Sequence, residues 1–242
     1  MAKKTFIYVF YTLEGIIFLL YMFADLGRPF PVTVGIKSPV LKYSGICLVF
    51  LGTAVLAAIK RNISSALLCA ALAFTVFSDY FLLFSAELLP GICSFCVVHI
   101  MYMLLMLFRQ NKGHIPAQRF FARLTVVFVS ASGIFALLTL SAGETVRTAG
   151  PFFIFCILFY AALFIGNLIL SLKKPRNMFF TVGLFLFFLC DVNVLLFNLP
   201  GFFTLNTAFT AFCNDIASVL MWFFYLPGKV FIFSSEMSIY NQ

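Results

Sequence analysis

Residues 74–105 read FTVFSDYFLLFSAELLPGICSFCVVHIMYMLL. They hold two apolar runs, each about one membrane span long, with Leu89-Pro90-Gly91 closing a short turn between them. Runs of this kind recur along the chain. In hydrocarbon every backbone N–H and C=O must be satisfied internally, which leaves helices or a closed barrel. Barrel strands alternate over about ten residues, whereas these runs are continuous over roughly 18–25, so helices are expected. Only 10% of the residues are charged and 63% are hydrophobic, against about 25% charged in a soluble domain. The expected fold class is all-α, a polytopic membrane protein of about eight transmembrane helices forming one domain over residues 1–242.

The spans fall near 5–24, 39–59, 64–84, 91–108, 120–141, 149–172, 177–197 and 206–233. Basic residues alternate between the connections. Lys3, Lys4, Lys60, Arg61, Arg109, Lys112, Arg119, Arg123, Lys173, Lys174 and Arg176 would all lie on one side, and only Arg28, Lys37, Lys42 and Arg147 on the other. The positive-inside rule then puts both termini in the cytoplasm and makes the number of spans even. The same rule accounts for the net charge of +8 without nucleic acid. The N-terminal apolar run holds Glu14 and lacks a small-residue cleavage site, so it reads as an uncleaved first span. A bacterial plasma membrane and an endoplasmic reticulum both fit.

A carboxylate within a span is costly, by about 2.5–3.5 kcal/mol on insertion scales, and marks function by default. Asp79 is one such group. Residues 74–91 (FTVFSDYFLLFSAELLPG) and 185–201 (FLFFLCDVNVLLFNLPG) share a Phe-rich approach, an Asp, a Leu-Leu-Phe and a Leu-Pro-Gly. Either two Phe/Leu-rich helices agree by chance, or the chain holds a parallel four-plus-four internal repeat that puts Asp79 and Asp191 at matching depth. At about 1.5 Å per residue, Asp79 lies about 7–8 Å from the end of its span, Asp191 about 9 Å and His99 about 12 Å. Helical spacing puts His99 and Tyr102 on one face. It also lines Asp215, Ser218, Trp222, Tyr225 and Lys229 along a polar stripe of the last span, which should face the bundle interior. Tyr11, Glu14 and Tyr21 align similarly in the first span. The seven cysteines, Cys93 and Cys96 of a CxxC among them, read as packing residues.

Two carboxyls sharing an apolar site do not both ionise easily, and so supply a general acid and a general base together. That pair suits hydrolysis of an ether or acetal-like bond, intramembrane peptide hydrolysis, or a proton relay in a transporter or lipid-binding protein. A structural subunit whose acids pair with partners is a further alternative. The sequence contains no serine nucleophile elbow, nucleotide-binding loop or HExxH zinc helix.

The chain resembles the YhhN, or lysoplasmalogenase-like, family of eight-span membrane proteins. The family pattern has a Gly-Asp in span three before a Leu-rich end, then Gly, Phe and His-x-x-Tyr in span four. Ser78-Asp79, Leu82-Leu83, Gly91, Phe95, His99 and Tyr102 follow it in order. Cys190-Asp191 matches a Ser-Asp in span seven, Tyr225 to Lys229 echoes the end of the last span, and Lys37 and Pro39 precede span two. The resemblance implies cleavage of the vinyl-ether bond of a lysophospholipid substrate, a lysoplasmalogen, without metal or organic cofactor. Asp79 and Asp191 would be the acid and base. His99 and Tyr102 would orient a carboxylate or the head group, and Lys37 or Lys42 would meet the phosphate. Ser78, Cys190 and Lys229 depart from the pattern, Asp215 is an extra acid, and Pro227-Gly228 is expected to break the final span.

Overall fold

The computed structural model describes residues 2–27, 37–85, 87–111, 113–173, 178–201 and 206–239. Arg28, Lys112, Lys174 and Arg176 of the charge pattern lie outside the described residues. Among the described residues there is no strand, and eight helical runs are long and apolar enough to cross a membrane. The protein is an all-α, multi-pass membrane protein. In chain order the helices are α1 (Ala2–Leu26), α2 (Ser38–Lys60), α3 (Ile63–Tyr80), α4 (Leu88–Gln110), α5 (Ala117–Ala149), α6 (Pro151–Leu172), α7 (Met178–Asn198), α8 (Thr207–Ala211) and α9 (Ser218–Ile239).

The helix ends follow local chemistry. Asn62 caps α3, its side chain accepting from Ser65 N at 2.8 Å, and Asn206 caps α8 by accepting from Phe209 N at 2.8 Å. Gly150, at φ 92°, turns the chain between α5 and α6, and Pro151 opens α6 where its missing N–H costs nothing. Two π-helical segments interrupt the regular helices: Phe81–Ser85, directly after α3, and Phe212–Ala217, between α8 and α9.

Several sequence expectations are corrected. Leu89-Pro90-Gly91 is not the turn between the third and fourth spans. It lies in the first turn of α4, where proline is tolerated. The second Leu-Pro-Gly, Leu199–Gly201, is a 3-10 turn. Helix α5 does not stop near residue 141 but runs to Ala149 across a kink at Ala142 (φ −141°, ψ 43°). Pro227 does not break the last span, because α9 continues through it.

The chain forms two compact units, a terminal unit of residues 1–52 with 176–242 and a central unit of residues 53–175. The division runs through α2 and after α6. In the terminal unit α7 packs closely along α9, with α1 also on α9. In the central unit α3 packs on α4, α4 on α6, and α6 on α5. A buried cluster of Cys96, Met103, Leu107, Val127 and Leu163 fills the space among α4, α5 and α6. Helix α5 is otherwise largely exposed apolar surface, with Phe121, Val126, Val129, Leu137 and Leu140 turned outward, as expected of a lipid-facing helix.

Candidate active site

In the central unit the site is built where α3 meets α4. Two side-chain bonds hold this antiparallel pair, one near each end. Arg109 Nε donates to Ser64 Oγ at 3.1 Å, and Ser78 Oγ donates to the carbonyl of Gly91 at 2.6 Å. Gly91 allows the approach, since a Cβ there would stand 2.8 Å from Leu82 Cδ2. Ser78, where the resemblance leads one to expect glycine, thus sits buried against α4 and gains a bond there. Asp79 follows it, 2% exposed. The π-helical segment begins two residues on, and such segments are frequent at functional sites.

Facing Asp79 from α4 is Tyr102, fully buried, its hydroxyl beside the Thr75 side chain and close enough to the Asp79 carboxyl to be acted on by it. Thr75 itself donates to the carbonyl of Ala71 at 3.0 Å. His99, one turn earlier, is also fully buried. Its ring meets Phe164 at 4.6 Å, Tyr160 at 5.2 Å and Tyr102 at 5.7 Å. Asn167 on α6 donates to the backbone carbonyl of His99 at 2.8 Å, and its amide lies 3.4 Å from the ring Nδ1. The structure therefore brings Asp79, Tyr102 and His99 into one buried region, with Asn167 as a member the sequence reading missed. Its signal was present, as Asn167 is the one amide in PFFIFCILFYAALFIGNLILSL, the most apolar of the spans.

The terminal unit holds Asp191, half-buried on α7 one residue after buried Cys190. One turn before it, Phe187 supports the ammonium of Lys229, whose Nζ stands 3.6 Å from the ring centroid. The same Nζ lies 5.0 Å from the ring of Tyr225, which packs on Phe187 at 5.4 Å and Trp222 at 5.1 Å. A cation over an aromatic face gains most when desolvated, and Lys229 is fully buried. The lower part of the polar stripe, from Ser218 to Lys229, thus turns inward. Asp215 does not. It sits exposed in the π-helical segment Phe212–Ala217. A π-turn takes more residues per turn than an α-turn, so the 3.6-residue spacing that aligned Asp215 with the stripe does not hold there.

The two candidate phosphate-binding lysines differ. Lys37 is exposed just ahead of α2. Lys42 is buried and already committed, with its Nζ 2.7 Å from Asp25 Oδ2 and 4.8 Å from the Trp222 ring centroid. Ser38 Oγ donates to Asp25 Oδ1 at 2.5 Å. Asp25 escaped the sequence reading because it stands at the margin of the first apolar run, where a carboxylate is unremarkable.

Cys93 and Cys96 pack against Cys156, with sulfurs of Cys93 and Cys156 4.0 Å apart. No group of His, Cys, Asp and Glu among the described residues is arranged to hold a metal ion.

The YhhN family model matches residues 38–235, most of the chain. The chain belongs to the YhhN family. The matched segment takes in Asp79, His99, Tyr102, Asp191, Asp215, Tyr225 and Lys229, and begins after α1. No curated protein and no solved structure matches the chain.

Proposed function

We propose that this YhhN-family protein is a lysoplasmalogenase-like hydrolase of the membrane, with Asp79 and Asp191 as acid and base. The observation that carries the reading is Asp79. A family match over residues 38–235 contains a carboxyl withdrawn from solvent and within electrostatic reach of the buried Tyr102 hydroxyl. Membership supports a hydrolase, as the resemblance implies, and the vinyl-ether substrate is the finer step. The place of Asp191 in the pair rests on the Leu-Pro-Gly sequence similarity and on the resemblance.

One carboxyl enters the reaction protonated and the other ionised. The protonated one delivers its proton to the vinyl carbon remote from oxygen, and the adjacent carbon becomes an oxocarbenium ion. The ionised carboxylate stabilises that cation, then takes a proton from water as the water adds. The resulting hemiacetal collapses to a fatty aldehyde and a glycerophospho-alcohol, and the proton returns to the first carboxylate. The atoms balance as one water consumed per bond cleaved. Tyr102 and His99 hold the acid and the head group in register.

Purified protein in detergent should release aldehyde from a lysoplasmalogen. Asp79→Asn and Asp191→Asn should each lower the rate by about 10²–10⁴-fold, the usual contribution of a general acid or base. Undiminished release by either variant would sink the assignment. No release by the wild type, with pH-dependent uptake in proteoliposomes, would favour a proton-coupled transporter using the same acids.

A further inference from the structure

Helices α4 and α6 run side by side in the same direction. Phe95 meets Tyr160 with ring centroids 6.0 Å apart, and further along Asn167 reaches the His99 carbonyl at 2.8 Å. Nearer the start of both helices Cys93 faces Cys156, their sulfurs 4.0 Å apart. Both are free thiols. A disulfide bond is about 2.05 Å long, so the two touch without being bonded, and about 2 Å of sulfur movement separates contact from a bond.

The three thiols of this cluster are not equivalent. Cys93 is half-buried, whereas Cys96 and Cys156 are buried. The Cys96 thiol donates to the backbone carbonyl of Cys156 at 3.9 Å, while the Cys93 thiol meets the Cys156 sulfur itself. Thiol reactivity follows exposure as well as thiolate character, so Cys93 is the point of entry and Cys156 the partner within reach. Depth points the same way. Cys93 lies five residues into α4 and Cys156 five into α6, each about 7–8 Å from its helix start. Arg109 and Lys173 stand at the opposite ends of these helices. The positive-inside rule assigns those basic ends to the cytoplasm and the cysteine ends to the other face, where a periplasm or an endoplasmic reticulum lumen is oxidising.

We propose that Cys93 and Cys156 are a redox pair that closes into a disulfide between α4 and α6. The Cys93 thiol loses its proton and attacks one sulfur of a small or protein disulfide of that compartment. The leaving thiolate takes up the proton. Cys156 then loses its own proton and displaces the second thiol from the mixed disulfide. Two protein thiols are oxidised to one disulfide, and one external disulfide is reduced to two thiols. The new bond ties α4 to α6 six residues from His99, on the helix pair that the Asn167 bond already joins. This modification site stands apart from the reaction proposed above.

The test uses the full-length protein in detergent, reduced and then treated with dithiodipyridine, a membrane-permeant disulfide. Peptide mass spectrometry should find Cys93 linked to Cys156 with the loss of two hydrogens. Pyridyl adducts on Cys93 and Cys156 without a link, or a link from Cys93 to Cys96 instead, would overturn the pair. Cys96→Ala should keep the link, and Cys156→Ala should leave a stable pyridyl adduct on Cys93. The bond closes a loop of roughly 60 residues and should raise the unfolding midpoint of the wild type by about 5–10 °C over the reduced protein. An equal rise in Cys156→Ala would overturn the link as its cause. Should that variant fail to fold, Cys93→Ala, at the half-buried position, takes its place and should show no rise. Cells quenched in acid before lysis and then alkylated should already hold the link, and its absence there would overturn the placement at an oxidising face.

Discussion

Gly183 on α7 and Gly228 on α9 meet backbone against backbone. A Cβ built on Gly183 would stand 2.7 Å from the carbonyl oxygen of Gly228, and one on Gly228 3.0 Å from that of Gly183. Small residues at such a crossing let helices approach closely in a membrane, where packing rather than hydrophobicity drives association. The crossing fixes Phe187, and through it the ammonium of Lys229. Gly183→Ala should cost about 1–3 kcal/mol, the usual penalty of overpacking, and lower the unfolding midpoint in detergent by several degrees. Gly166→Ala, where a Cβ meets nothing within 4 Å, should leave it unchanged or raise it slightly. Equal midpoints for the two variants would contradict the close crossing.

The Asp25–Lys42 pair is buried, so removing one member leaves an uncompensated charge. Lys42→Met should destabilise by about 3–5 kcal/mol, and Lys42→Met with Asp25→Leu by much less. The same variants separate a structural lysine from a substrate anchor. A phosphate ligand would show as a raised KM at unchanged stability, whereas the ion pair predicts the reverse.

Asn167 supports His99 from α6. Asn167→Leu should remove about 1 kcal/mol, the typical net worth of one hydrogen bond. If His99 orients the head group, KM for the lysophospholipid should rise as well, and His99→Gln should raise it further. A stability loss with unaltered kinetics would confine His99 to packing.

The charge pattern predicts an orientation. In a variant free of native cysteines, Arg61→Cys should label with an impermeant thiol reagent only after cells are opened. Glu144→Cys should label in intact cells. Both positions are exposed, so access is not in question. Labelling in the opposite order would invert the topology.

What could be read from the sequence tracks what is local. The spans are legible because about twenty apolar residues in a row have few other uses, and Asp79 because charge there is expensive. His99 and Tyr102 share a face because an α-helix repeats that way, and the structure sets their rings 5.7 Å apart. Asp215 failed on the same assumption, since the π-helical Phe212–Ala217 departs from the α period. Pro227 misled because its lost hydrogen bond suggests a break, yet membrane helices accommodate proline through their neighbours. Partnerships between helices were the blind spot. Lys42 looked like a connection residue until Asp25 stood 2.7 Å away, and Asn167 had no visible reason to touch His99.

Helix α1 is fastened through its side chains: Phe10 and Tyr11 to Phe233 and Ser234 of α9, Tyr21 to the Trp222 carbonyl of the same helix, and Asp25 to Lys42 of α2. Membrane helices insert independently and associate afterwards, so fasteners of this kind do not need a continuous chain. Residues 1–27 and 37–242, produced as separate polypeptides in one cell, should find each other and reconstitute the protein. The Asp25–Lys42 bond would then join two molecules where it now joins two helices.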